Sequence, residues 1–172
     1  YIRFWVHKQI AEKVFSKLHI LDEAQFQEVT WEIVSGALKD APRMFQIWAS
    51  KQVTSIAGAY CNQAKYKRNQ SKKCPSCGKV VETCAHVPSC KEEGRVKALA
   101  NSIQLVGQWL QKVGTHDTLR SCLIQYAKER GSVRMENIAW GKSRQFWNLG
   151  KSMDKIGWRR CMEGMLSKEV LS

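Results

Sequence analysis

Apolar residues recur three to four positions apart over most of this chain, and nowhere do they alternate with polar ones for the length of a strand. Phe4, Ala11, Val14, Phe15 and Leu18 share one helical face, so the spacing predicts an amphipathic helix over residues 2 to about 19. Asp22 opens a short segment to Gln27. A second helix begins after Val29 or Thr30 and should stop near Asp40, because Pro42 disfavours helical backbone in the residue before it. Pro42 itself suits the first turn of the next helix, where Phe45, Trp48, Val53, Ile56, Ala57 and Tyr60 line one face.

The periodicity fails over residues 62–71 (NQAKYKRNQS), a polar, basic stretch that reads as a loop or a fraying helix end. A cluster of cysteines follows. Helical spacing resumes near Glu92, with Val96, Leu99, Ala100, Ile103, Val106 and Leu110 on one face, and Gly114 ends it. Thr115 or Asp117 caps the next helix, which runs to about Arg130 before Gly131. Ser132 caps a short helix through Trp140. After Gly141 one or two helices reach the C-terminus, with Gly150 and Gly157 as weak points. The pattern predicts an all-α fold, a helical domain with a central CCHC zinc knuckle insertion. Residues 1–64 form an N-terminal helical group, 65–91 a basic loop and knuckle, and 92–172 a C-terminal helical group.

The knuckle is predicted from spacing. Cys74-Pro-Ser-Cys77-Gly78 is followed by His86 and Cys90, giving C-x2-C-x8-H-x3-C. A C-x2-C-G turn converges two thiolates on one metal and aims backbone amides at the sulfurs, while the glycine takes a conformation that side chains resist. His86 and Cys90 are four apart and share a face on a helical turn that Thr83 can cap, although Pro88 shortens or distorts that turn. Four N/S donors with no vacancy describe one structural, tetrahedral Zn2+. The alternative set replaces His86 by Cys84, as C-x2-C-x6-C-x5-C. Zinc is expected to be needed for folding of the middle of the chain. Seven cysteines, an odd number, fit a reducing compartment better than a disulfide scaffold. Cys61, Cys122 and Cys161 fall in helical patterns and read as core, and His7, His19 and His116 read as surface or capping residues.

The run CPSCGKVVETCAHVPSC resembles the zinc-binding segment that follows the polymerase region in reverse transcriptases of non-LTR retroelements and their domesticated relatives. That segment has the form C-P-x-C, a short acidic spacer, E-T-x-x-H and a nearby Cys. Cys74, Pro75, Cys77, Glu82, Thr83, His86 and Cys90 match it. Residues 156–167 (IGWRRCMEGMLS) are also similar to a segment of uncharacterised proteins of that mobile-element kind. The resemblance implies a nucleic-acid-associated role and a nuclear location.

Charge changes the picture further. The net charge is +13, and eleven of those charges fall in two segments, +6 over 65–97 and +5 over 142–160. Such blocks point to an anionic partner. Lys65, Tyr66, Lys67, Arg68, Lys72, Lys73, Lys79 and Arg95 flank the knuckle together with Lys91 and Lys97. Arg159 and Arg160 lie in the second block with Lys142, Arg144, Lys151 and Lys155. These are the candidate nucleic-acid contacts, DNA or RNA. Tyr66 suits base stacking or a half-buried loop position equally. Trp147 and Trp158 read as core at their helical spacing. The alternative is a protein-interaction or assembly subunit of a larger particle with a structural zinc, meeting a protein partner or forming a homo-oligomer, since seven tryptophans suit a buried interface.

No enzyme is expected. The chain has no adjacent aspartate pair of the polymerase kind and no PD…(D/E)xK arrangement after the knuckle, and most later acidic residues sit at helix starts or on polar faces. No apolar run approaches the ~18–20 residues of a membrane span. The chain opens on Tyr1 and mixes charge with aromatics over residues 2–10, unlike a secretory signal, so an intracellular segment of a longer polypeptide is expected.

Overall fold

Caps and stops written into the sequence set the N-terminal helices. In the computed structural model, residues 2–67 and 69–171 are described, with side chains for 8–67 and 69–170. Helix α1 (Ile2–Lys17) ends where His19 adopts a positive φ of 51°. Phe4 belongs to the side chains outside that set. Of the predicted face, Ala11 and Phe15 point into the core, whereas Val14 and Leu18 are exposed. Asp22 caps α2 (Glu23–Glu28) through a reciprocal capping box with Gln25. Helix α3 (Trp31–Lys39) stops before Pro42, as expected, and α4 (Arg43–Val53) starts after it.

Helix α4 is shorter than its apolar spacing predicts. It ends at Thr54, and Ser55 turns to φ 59°. Phe45, Trp48 and Ile56 are left exposed at 49–61%. Ala57 and Ala59 instead enter a small buried cluster with Cys84. The buried amide of Asn62 holds this corner by donating to the carbonyls of Ser55 and Ala57 at 2.7 and 2.8 Å. Asn62 belongs to α5 (Tyr60–Gln63), inside the stretch that the polar composition marks as loop.

The C-terminal half contains α6 (His86–Ser89), α7 (Glu93–Lys112), α8 (Asp117–Glu129), α9 (Met135–Ala139), α10 (Arg144–Ile156), α11 (Trp158–Met162) and a 3-10 turn (Lys168–Leu171). The positions of these helices agree with the periodicity, but three details differ. The cap of α8 is neither Thr115 nor Asp117; His116 Nδ1 accepts from the Thr118 N–H at 3.2 Å. Ser132 does not cap α9. Both oxygens of the Asp154 carboxylate, on α10, accept from the Met135 and Glu136 N–H groups at 2.7 and 2.9 Å. Gly150 does not weaken α10, which runs through it. A Cβ there would lie 2.8 Å from Glu136 Cα, so glycine is what lets α9 cross so closely. On α7, Ile103 is buried but Val96 and Val106 are exposed.

Two apolar clusters form the core. One joins Cys122, Tyr126, Met135, Ala139, Leu149, Met153 and Cys161 within the C-terminal group. The other joins Ile20, Leu21, Phe26 and Val29 to Ile156 and Met165, so the N- and C-terminal groups share it. Phe15, Phe26 and Trp31 stack around it at 4.6–5.7 Å. Thr30, the first residue before α3, turns its hydroxyl away from the helix and donates to the Leu166 carbonyl at 2.7 Å. The 156–167 segment is thus the seam of the molecule. Its buried Arg160 reaches the Ile20 carbonyl at 2.7 Å and Glu163 at 2.6 Å. Among the described residues there is no strand, only isolated bridges at Val29–Ser167 and Lys73–Val81.

Candidate metal centre

The Lys73–Val81 bridge closes a tight turn around Cys74 and Cys77. The Cys74 N–H donates to the Val80 carbonyl and the Gly78 N–H to the Cys74 carbonyl, both at 2.8 Å. Gly78 sits at φ 64°, where a Cβ would be strained. On the other side the Thr83 hydroxyl accepts from the His86 N–H at 3.1 Å, just ahead of α6, whose N-cap position is Ala85. The half-turn survives Pro88 because its first-turn position needs no internal N–H.

These two pieces face each other. The donor atoms of Cys74, Cys77, His86 and Cys90 all lie within 4.8 Å of one another. Cys74 Sγ is 4.0 Å from Cys90 Sγ, and Cys77 Sγ is 3.6 Å from His86 Nε2. Tetrahedral zinc sets S···S at about 3.8 Å and S···N at about 3.5 Å, so the residues fit one such ion. Backbone N–H groups of Lys79 and Val80 aimed at its sulfur bring the Cys77 thiol down to about 7, and the Cys77 N–H lowers Cys74 in the same way. Both favour the thiolate that a metal needs. Cys84 is not in the cluster. It is 3% exposed, packs on Ala57 and Ala59, and burial pushes its thiol up. The geometry chooses His86 over Cys84.

Glu82 ties this centre to the helices. Its buried carboxylate accepts from the Tyr60 N–H at 3.2 Å and from Arg95 at 3.1 Å, and Arg95 also donates to Ser76 at 2.8 Å. Arg130 at the end of α8 donates to the carbonyl of Cys90 at 3.3 Å. Neither Asn62 nor Arg130 carries a sequence signal of these roles, since each acts through a fold-dependent carbonyl. Glu82 had one, its place in the E-T pair before the histidine.

The candidate nucleic-acid residues separate into two kinds. Lys65, Tyr66, Lys67, Lys72, Lys73 and Lys79 are exposed, Tyr66 at 87%, as are Lys91 and Lys97. Arg68 lies outside the described residues. Arg95, Arg159 and Arg160 are each held by a carboxylate, the first two with 33% of the side chain exposed and the third buried. Arg159 binds Glu163 at 3.0 Å and Ser55 at 2.6 Å, and Arg160 is 7% exposed. Arg160 is therefore removed from any surface, because the seam needs its guanidinium to satisfy carbonyls and a carboxylate. All seven cysteines are free. Among the described residues no helix is long and apolar enough to cross a membrane. No family model, no curated protein and no solved structure matches the chain.

Proposed function

We propose that this chain is a nucleic-acid-binding module of a retroelement-like protein, acting in the nucleus, in which one structural Zn2+ on Cys74, Cys77, His86 and Cys90 fixes a basic surface. The observation that carries the reading is the division of labour between cations. The arginines near the knuckle and the seam are held by Glu82 and Glu163. Among the described residues, no ion pair involves Lys65, Lys67, Lys72, Lys73, Lys79, Lys91 or Lys97. Exposed lysines without carboxylate partners, rooted in a metal-rigidified turn, suit phosphate contacts. A closed four-donor site leaves no position for a metal-bound substrate, so the module binds rather than catalyses. The retroelement connection rests on the match of Cys74, Pro75, Cys77, Glu82, Thr83, His86 and Cys90 to the post-polymerase segment.

Changing Lys65, Lys67, Lys72 and Lys73 together to Ser tests it. The log–log salt slope of binding should shrink by up to about 3.6 for a duplex or about 2.8 for a single strand, with zinc content and helicity unchanged. An unmodified protein that binds neither DNA nor RNA at low salt would overturn the reading. A second reading, assembly with another protein, is favoured by two exposed apolar faces. These are Met44, Phe45, Trp48 and Ile56 at α4, and Leu105, Val106, Trp109 and Val113 along α7. Concentration-dependent sedimentation of the purified chain would support it.

A further inference from the structure

The second basic block does not survive folding as a block. Lys155 pairs with Glu28 at 3.1 Å, and Arg159 and Arg160 are held by Glu163. The cations left over are Lys142, Arg144 and Lys151, all exposed and none in an ion pair among the described residues. Along the chain they flank exposed Trp140 and half-buried Trp147. Trp140, at the end of α9, is 73% exposed, the most exposed tryptophan among the described residues. Its ring stands edge-to-face with Trp147 at 5.8 Å and 77°. Lys151, one turn on, lies with Nζ 3.6 Å from the centroid of Trp147. The site is built into backbone turns. Gly141 takes φ 76°, the Lys142 N–H closes onto the Ala139 carbonyl at 3.1 Å, and Ser143 caps α10. A large indole held open to water costs solvation, and the exchange is reasonable where a flat partner covers it. A partner that is flat, aromatic and anionic matches both the open ring and the unpaired cations.

Resting on the nucleic-acid reading above, we infer that Trp140 is a stacking platform for an unpaired nucleobase, with Lys142, Arg144 and Lys151 holding the flanking phosphates. Trp147 stands against Trp140 edge-to-face and Lys151 covers the Trp147 ring, so the indole left open for a base is the exposed Trp140. The chemistry selects single-stranded nucleic acid, because a paired base offers no free face away from the duplex ends.

The test compares oligodeoxythymidylate, oligouridylate, an abasic oligonucleotide of equal length and a blunt duplex, each on the full chain with zinc. The unmodified protein should bind the thymidylate or uridylate strand more tightly than the abasic one. Trp140→Ala should weaken that binding by about 5- to 100-fold and abolish the preference, while affinity for the abasic strand and the duplex stays unchanged. Trp140→Phe should restore most of the loss. Lys142→Ser with Arg144→Ser should instead weaken the base-bearing and abasic strands alike and flatten the salt dependence. The two strand arms tell DNA from RNA as the source of the base. Base-bearing strands bound equally well by Trp140→Ala would overturn this inference and leave the nucleic-acid reading standing. Loss of self-association in Trp140→Ala with unchanged strand binding would overturn it in favour of a protein contact. No binding of any probe by the unmodified protein would sink the nucleic-acid reading itself.

Discussion

His86 and Cys84 are two residues apart, yet they do different things. His86 Nε2 lies 3.6 Å from Cys77 Sγ, while Cys84 packs under the centre on Ala57 and Ala59. His86→Ala should therefore lose most of the metal in elemental analysis, and Cys84→Ser should keep one zinc per chain. Cys84→Ser should still lower stability by about 1–3 kcal/mol in denaturant unfolding, because a hydroxyl replaces a thiol in an apolar pocket. The reverse pattern of zinc contents would restore the four-cysteine set. Glu82→Gln removes the charge facing Arg95, which keeps a third of its side chain in water. The cost should be about 1–3 kcal/mol, below that of a fully buried broken pair, and visible in the same unfolding curves.

At the scale of elements, α9 depends on α10 twice over. Asp154 supplies the cap that Ser132 does not, so Asp154→Ala should cost about 1–2 kcal/mol in thermal or chemical unfolding. Gly150→Ala, which in an open helix would stabilise, should here destabilise by about 1–3 kcal/mol, since its Cβ would meet backbone at 2.8 Å. A gain in melting temperature would show that the crossing is looser than described. The join of α2 to α10 adds a pH dependence. Burial raises Glu28, but hydrogen bonds from Ser152 and Lys155 and the charge of Lys155 outweigh it and hold the carboxyl below its ordinary 4.5. A group depressed on folding stabilises above its unfolded value, and that share is lost as pH falls through the folded one. Below about pH 4.5, Glu28→Gln should therefore progressively lose its stability deficit against the unmodified chain.

For the molecule as a whole, the candidate metal site and the core are separable. Neither principal apolar cluster contains a metal donor, and the segment that does carries only the short α6. Removing zinc with a chelator should therefore erase amide-exchange protection over 60–64 and 74–90 while Tyr126 and Met153 keep theirs. Far-UV helicity should drop little, a smaller effect than metal-dependent folding of the whole middle would give. Collapse of protection across both clusters would mean that Arg130 and Glu82 carry the metal's influence into the helices.

Much of the candidate site was legible in the chain itself. Knuckle spacing depends on bond lengths and turn geometry over a few residues, so C-x2-C-G and the His86–Cys90 pair could be read directly. Helix positions followed from apolar period and from Pro42, Gly114 and Gly157, which act locally. The sequence left the choice between His86 and Cys84 open, because both lie within reach of the turn and only packing against Ala57 and Ala59 takes Cys84 away. It also left open the fate of each charge. Arg160 and Lys142 look alike in a basic run, but Glu163 and the Ile20 carbonyl draw one inside, and among the described residues no ion pair meets the other. The cap on α9 and the glycine crossing were decided by residues of another helix, Asp154 on Met135 and Glu136 and Gly150 beneath Glu136, and the corner after α4 by the buried Asn62 amide. Local spacing determines what a residue can become; which of those roles it takes depends on what the fold brings beside it.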